Sequence, residues 1–254
     1  EDRPSVAIIG GRRCSGYGSY AAGLFAEALS DKGVSIISGM AEGIDSAALR
    51  ACLRRGHKAY AVLGSGVSYC YPAGSFDIYE AMCEGEGGVI SESPPGAGPD
   101  PWRFVSRNRI IAGLCDALIV AEARKRSGTA ITVEHALAYG REVYAVPHRI
   151  CDALGEGSNG LIKDGAQIIT EPEDLLCRFD IEEADTGAWH EKTGPSLASS
   201  EKIVYSCLDF NQKHLEEVAA VAGLSIPETI RSLQGLEKKG LAASGPAAYY
   251  RKVN

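Results

Sequence analysis

The chain has 254 residues, of which 45% are hydrophobic and 23% charged, a composition typical of globular proteins. No apolar run approaches the roughly 20 residues that a membrane helix needs, and no secretory signal pattern is present. The net charge of −7 argues against a nucleic-acid partner for the chain as a whole.

The local charge balance is different from the total. Between Arg103 and Arg126 there are six basic residues and two acidic ones. Docking of a phosphate backbone depends on this local field, although a solvated basic surface would explain the cluster equally well.

The eight cysteines form no C-x-x-C pair, and the five histidines show no H-x-x-x-H spacing. Zinc sites are built on such spacings, so we expect no metal. Free thiols of this kind are typical of a reducing compartment, and we expect the protein to be cytoplasmic.

Seven short apolar runs alternate with helical patterns along the first 178 residues. Runs that are apolar on both faces and alternate with helices are typical of a parallel sheet covered on both sides. We therefore predict an α/β, Rossmann-like, doubly wound and mainly parallel sheet. The predicted strands are residues 6–9, 34–37, 59–63, 89–91, 117–122, 143–146 and 167–169, and helices are predicted at 20–29, 45–55 and 130–139.

The pattern changes after the predicted core domain, residues 1–178. Residues 179–199 are acidic and contain glycine and proline, as in a linker. Residues 200–254 then show a helix, a helix–turn–helix pattern and a hairpin-like tail, the order of a small C-terminal winged-helix domain.

Four loops that follow predicted strands are rich in glycine and serine. Ligands of open parallel sheets bind beyond the carboxyl ends of the strands, where backbone N–H groups attract anions. These loops therefore predict a phosphate-binding rim, to which Arg12 adds a fixed donor. Their sequences are GGRRCSGYG (10–18), SGMAEGID (38–45), LGSG (63–66) and RSGT (126–129).

Motifs of common enzymes are missing from these loops. The acid that would hold a dinucleotide ribose is absent after the second strand, which ends in Ser38 and Gly39. No P-loop and no G-x-S-x-G elbow occurs. We therefore expect no cofactor and no enzymatic activity.

The segment WRFVSRNRIIAGLCD (102–116) carries an aromatic ring among arginines and an amide. If it is helical, Arg103 and Arg107 share a face, and Phe104 lies beside Arg107 and Asn108. Single-stranded nucleic acid binds to such surfaces, because bases stack on the ring while guanidinium groups hold phosphates. The alternative is that Phe104 is a core residue and that the arginines pair with Glu92 or Glu122.

The sequence of these loops and of the segment 102–116 resembles that of the DprA/Smf family. The likeness covers roughly residues 5–178 and rests on nine blocks in the family's order and spacing. They are GGRRCSGYG, SGMAEGID, AVLGSG, YP (71–72), ISESPPG (90–96), FVSRNRIIAGL (104–114), RSGTAIT (126–132), GREVYAVP (140–147) and GSNGLIKDGA (157–166). The sequence departs from the family pattern at Leu49, Ser75, Val105 and His148.

The resemblance implies a homodimeric protein that binds and protects incoming single-stranded DNA. It also implies that the protein helps to load the RecA recombinase in natural transformation and recombination. The candidate DNA-binding residues are Arg12, Ser15, Ser38, Gly39, Gly64, Arg103, Phe104, Arg107, Asn108, Arg109, Ser127, Gly128 and Thr129.

Two alternatives belong to other functional classes. A phosphoribohydrolase of the lonely-guy (LOG) type would need two acids directly after Thr129, but the nearest acid is Glu134. A duplex-DNA regulator would act through the winged helix, whose seven basic and six acidic residues make it a poor groove binder.

Overall fold

The computed structural model describes residues 3–85, 87–181 and 197–253. The chain divides into two compact units, with the boundary between Glu182 and Glu183. Most of the predicted linker, residues 182–196, lies outside the described residues. In the described ranges, no helix has both the length and the apolar character that a membrane span requires.

The first unit is built on one seven-stranded parallel sheet with the strand order β4-β3-β2-β1-β5-β6-β7. All seven strands occur where the sequence predicts them, and the Rossmann-like fold class is confirmed. The strands are β1 (Ser5–Gly10), β2 (Ser35–Ser38), β3 (Ala59–Val62), β4 (Gly87–Ile90), β5 (Ala117–Glu122), β6 (Glu142–Ala145) and β7 (Gln167–Ile168).

Helices connect these strands on both faces of the sheet. The three predicted helices are present, and the segment with Phe104 is helical, beginning at Pro101, whose missing N–H is harmless in a first turn. The helices are α1 (Gly16–Asp31), α2 (Ile44–Arg54), α3 (Phe76–Cys83), α4 (Pro101–Leu114), α5 (Thr129–Ala138), α6 (Glu156–Lys163) and α7 (Glu173–Leu176).

The core lies in two layers because successive side chains of a strand point to opposite faces. In β1, Val6 and Ile8 pack in the layer that contains α1 and α2. Ala7 and Ile9 pack in the other layer with residues of α4 and α5. The central strands are thus apolar on both faces, as the sequence pattern predicts.

The strand order fixes where a crevice opens. From β1 the chain proceeds outward through β2, β3 and β4, and it then returns to β5 on the other side of β1. The loops after β1 and β5 therefore diverge over opposite halves of the sheet. In open α/β sheets, ligands bind at such a switch point.

The second unit has its own apolar core, which includes Val204, Val218 and Leu233. Its antiparallel sheet has the order β8-β10-β9. The order of elements agrees with the predicted one, and its assignment as a winged helix stays a prediction. The elements are α8 (Ser199–Cys207), β8 (Lys213–His214), α9 (Leu215–Ala222), α10 (Ile226–Lys238), β9 (Ala242–Ser244) and β10 (Tyr249–Lys252).

Candidate functional site

A cavity of about 550 Å³ opens at the switch point of the sheet. The loop after β1 (residues 10–13) forms one wall, and the loop after β5 with the start of α5 forms another. Helix α4 forms the third wall through Phe104, Asn108 and neighbouring residues. Ala41 and Asp45 of the loop 38–45 also line it, so three of the four glycine-rich loops and the predicted arginine-bearing helix meet here.

Three arginines at the cavity, Arg12, Arg13 and Arg124, are exposed. Within residues 3–85, 87–181 and 197–253, none of them forms an ion pair with a carboxylate. Guanidinium groups without a carboxylate partner are available to phosphate, which they bind in a bidentate geometry. The cavity therefore presents a positive rim although the chain as a whole is acidic.

Phe104 is half-buried in the cavity wall and not sealed in the core. The guanidinium carbon of Arg12 lies 5.8 Å from its ring centroid. The ring of Tyr71 lies 5.4 Å away at an angle of 42°. Behind the ring is Gly64, where a Cβ atom would come within 2.5 Å of the Phe104 Cδ1. The ring and an arginine are thus placed together, as base stacking with phosphate contact requires.

The floor of the cavity is a buried pair of opposite charges, Asp45 and Arg107. The amide of Gly39 donates to Asp45 Oδ2 over 3.1 Å, and Arg107 Nη1 donates to the carbonyl oxygens of Gly39, over 2.7 Å, and of Val62. Burial raises the pKa of Asp45 to about 6, against the opposing effect of the Arg107 charge. Burial also lowers the pKa of Arg107. Arg107 therefore ties α4 to the sheet in addition to lining the cavity.

The first turn of α5 supplies hydroxyl groups to the cavity. Thr129 and Thr132 line it and are only 8% and 3% exposed, and Ser127 and Gly128 lie beside them. The residue at the N-cap of α5 is Gly128, which has no side chain that could cap the helix. The amino-terminal end of a helix attracts anions. This wall and the arginines of the cavity therefore favour the same kind of ligand, a negatively charged group.

Three predicted site residues are placed away from the cavity. Ser15 caps α1 and donates its hydroxyl to the buried Glu122, so it orders the loop after β1. Ser38 is fully buried and donates to the carbonyl of Ile8 over 2.6 Å. Arg109 pairs with Glu92, as the alternative interpretation of the basic segment expected.

Gly64 and Arg103 line a second, smaller cavity of about 220 Å³ that is bordered by α4. The remaining predicted residues, Arg12, Phe104, Arg107, Asn108, Ser127, Gly128 and Thr129, line the main cavity, and Gly39 lies under its floor. Their contact with DNA stays a prediction.

The sequence analysis missed several lining residues. Tyr71 lies in the YP block, and Arg124 lies in the basic cluster, so both were visible as parts of a pattern. Asp45 ends the predicted rim loop 38–45, but it was not singled out, because an acid in a first helical turn is ordinarily a partner of the helix dipole. In the described part of the chain, no group of three or more His, Cys, Asp or Glu residues is arranged to hold a metal ion.

A family model described as DNA recombination-mediator protein A matches residues 1–180. The DNA processing protein DprA of Streptococcus pneumoniae is 42% identical over 177 residues, which are 70% of this chain and 62% of that protein. Protein Smf of Escherichia coli is 34% identical over 251 residues, which are 97% of this chain and 67% of that protein. The chain thus spans about two thirds of the length of these relatives.

Solved structures from two relatives resemble about 70% of this chain. That of the pneumococcal DprA has a TM-score of 0.65 and 40% identity, and the match covers 71% of this chain and 62% of that one. That of DNA processing protein A from Helicobacter pylori has a TM-score of 0.62 and 26% identity, over 70% of this chain and 82% of that one. The Helicobacter pylori structure was described for its single-stranded DNA binding mode.

Proposed function

We propose that this chain, which belongs to the DNA recombination-mediator protein A family, binds single-stranded DNA in the cavity between the loops after β1 and β5. The observation that carries the proposal is a half-buried ring, Phe104, in contact with Arg12, in a cavity whose exposed arginines have no carboxylate partner among the described residues. A base stacks on such a ring while the guanidinium groups hold the flanking phosphates.

The shape of the cavity favours an unpaired strand over a duplex. In a duplex the bases are stacked inside, and a protein reads their edges with an element that projects into a groove. Here the aromatic ring is recessed in a concave wall, so only a base that has left the stack reaches it. The relative from Helicobacter pylori, studied for its single-stranded DNA binding mode, supports the same assignment.

The cellular role that we propose follows that of the family. The protein acts in the cytoplasm as a homodimer, protects incoming single strands and helps to load the RecA recombinase during natural transformation and recombination. Contacts to phosphates and to the faces of bases are available in every DNA sequence. A protein that binds mainly through them accepts any incoming strand, which suits this role.

We propose that the cavity binds and does not catalyse. Among the described residues, Asp45 is the only carboxylate that lines it, and this residue is buried within the electrostatic influence of Arg107. Glu134, the acid nearest to Thr129 on the carboxyl side, is exposed on α5 and does not line the cavity. A ribohydrolase assay on nucleoside monophosphates tests this point, and release of free base would contradict it.

The test of the proposal is the affinity for a labelled oligothymidylate, measured by fluorescence anisotropy. Phe104→Ala should lose about 1–3 kcal/mol of binding free energy, because one stacked base loses its platform. Phe76→Ala is the matched control, since Phe76 is 54% exposed on α3 and lies outside the cavity. Unchanged affinity of Phe104→Ala would mean that the ring only shapes the wall.

A further inference from the structure

Trp102, the second residue of α4, is 63% exposed. Large aromatic side chains bury most of their surface in folded proteins, so this exposure needs an explanation. It is the most exposed tryptophan or tyrosine side chain among residues 3–85, 87–181 and 197–253. Its sequence position beside Arg103 and Phe104 places it next to the proposed DNA-binding cavity.

The indole is held in place by a fixed cation. The guanidinium carbon of Arg103 lies 4.8 Å from the Trp102 ring centroid. Arg103 is itself fixed, since its Nε donates to Asp100 over 2.8 Å and its Nη1 donates to Ser93 Oγ over 3.0 Å. One side of the ring is thus supported by the protein, while most of the residue's surface is exposed.

Trp102 also borders the smaller cavity of about 220 Å³ together with Gly64 and Arg103. Arg107 lines both cavities, and Pro101 lines the main one. Because residues two apart on a helix point about 200° apart, Trp102 and Phe104 lie on opposite sides of α4. The two cavities therefore flank the first turns of the same helix, each with one aromatic ring.

We propose that Trp102 is a second base-stacking platform, reached by a DNA strand that leaves the main cavity across the first turn of α4. This inference rests on the proposed function, because it extends the path of the same strand. A flat, preorganised ring with a guanidinium group behind it suits a nucleobase, which every sequence supplies.

The charges around Trp102 indicate how this platform contributes. Arg103 pairs with Asp100, and Arg109 pairs with Glu92. The surroundings of the ring are thus close to neutral, so it adds stacking and does not add phosphate contacts. Loss of the ring should weaken binding without changing its dependence on salt.

The first test uses the fluorescence of the indole itself. The chain has two tryptophans, Trp102 and Trp189, so Trp189→Phe leaves Trp102 as the only emitter. Saturating oligothymidylate should quench the emission, with the same half-saturation point that anisotropy gives. The quenching should persist when Phe104→Ala is added and the DNA concentration is raised to saturation. Emission that stays unchanged at saturation would overturn the proposal and assign this surface to another partner.

The second test is a length series of oligothymidylates from about 4 to about 16 nucleotides, which spans the site sizes of OB-fold single-strand binders. Trp102→Ala should bind the long oligonucleotides about tenfold more weakly than the unaltered protein and the shortest ones equally well. Trp102→Phe should restore most of the loss, because it keeps a ring. Tyr139→Ala, an exposed aromatic at the far end of α5, is the matched control.

These results separate the two proposals. If the unaltered protein binds no oligonucleotide, the proposed function fails and the inference fails with it. If the unaltered protein binds and Phe104→Ala weakens binding, while Trp102→Ala matches the unaltered protein at every length, only the second platform is overturned.

Discussion

At the scale of single residues, the cavity depends on side chains whose surroundings alter their chemistry. Asp45 is buried on the floor, and its pKa of about 6 lies above that of an ordinary aspartate because burial disfavours the charged form. Arg107, which faces it, remains a cation in this range of pH, because arginine side chains are not deprotonated in proteins. Only one of the two partners therefore titrates near neutrality.

This asymmetry predicts a pH dependence of DNA binding. As the pH falls from 7 to 5, Asp45 takes up a proton and the cavity loses a negative charge that opposes phosphate. Affinity for oligothymidylate should rise on the order of two- to threefold, the effect of one charge about 8 Å away in a water-like dielectric. Anisotropy titrations at constant ionic strength measure this, and Asp45→Asn is the control, since it should remove the difference between the two pH values. An equal rise in the variant would assign the effect to another group.

A second prediction at this scale concerns the space behind the aromatic ring. Gly64→Ala should displace the ring of Phe104, because the added Cβ would lie 2.5 Å from its Cδ1. DNA affinity should fall by up to the about 1–3 kcal/mol expected for loss of the ring itself, with the salt dependence unchanged. Gly74→Ala is the matched control, since no atom would lie within 4 Å of its new Cβ. Normal binding by Gly64→Ala would show that the wall accommodates a moved ring.

At the scale of elements, the site depends on the attachment of α4 to the sheet. Arg107 makes this attachment by donating to the carbonyl oxygens at the ends of β2 and β3, which are 68 and 45 residues away in sequence. Arg107→Met should cost about 1–3 kcal/mol of the free energy of unfolding, because the buried carbonyl oxygens of Gly39 and Val62 would lose their donor. Urea unfolding measures this loss.

The double variant Arg107→Met with Asp45→Asn isolates the pair. Above pH 7 it should be more stable than Arg107→Met alone, because burial disfavours ionised Asp45 and the Arg107 charge no longer opposes that effect. Equal stability of the single and double variants would mean that the two residues do not interact.

The same element shows how far the sequence predicts the structure. Local patterns predict the strands and the helical state of α4, because apolar spacing and the position of Pro101 are local properties. The role of Arg107 was not predictable, since its acceptors come from distant strands. Ser38 was predicted to lie on the rim because it comes at the end of a strand beside a glycine. It is instead buried against β1, and its acceptor, the carbonyl of Ile8, is also distant in sequence.

At the scale of the whole molecule, the charge of the chain and the charge of the site differ in sign. The net charge of −7 belongs to the full sequence, whereas the main cavity carries four arginines and one aspartate. The groups that we propose to bind phosphate thus lie in the first unit, which has its own core. The second unit is near neutral, with seven basic and six acidic residues in 200–254.

This division predicts the behaviour of the first unit alone. A protein of residues 1–182 should bind oligothymidylate within about threefold of the full chain, because loss of a near-neutral unit removes few phosphate contacts. Anisotropy with the same probe compares the two proteins, and circular dichroism verifies that the shorter one is folded. A folded first unit that binds tenfold more weakly would show that the second unit holds part of the strand.

The salt dependence of oligothymidylate binding tests the central claim most directly. If Arg12, Arg13 and Arg124 hold phosphates, a plot of log K against log salt concentration should have a slope of about −2, since each contact contributes about 0.7 on single strands. Arg12→Ala should reduce the magnitude of that slope by about 0.7 to 1 and weaken binding to every sequence alike. Absence of binding in dilute salt, or a slope near zero, would contradict the account.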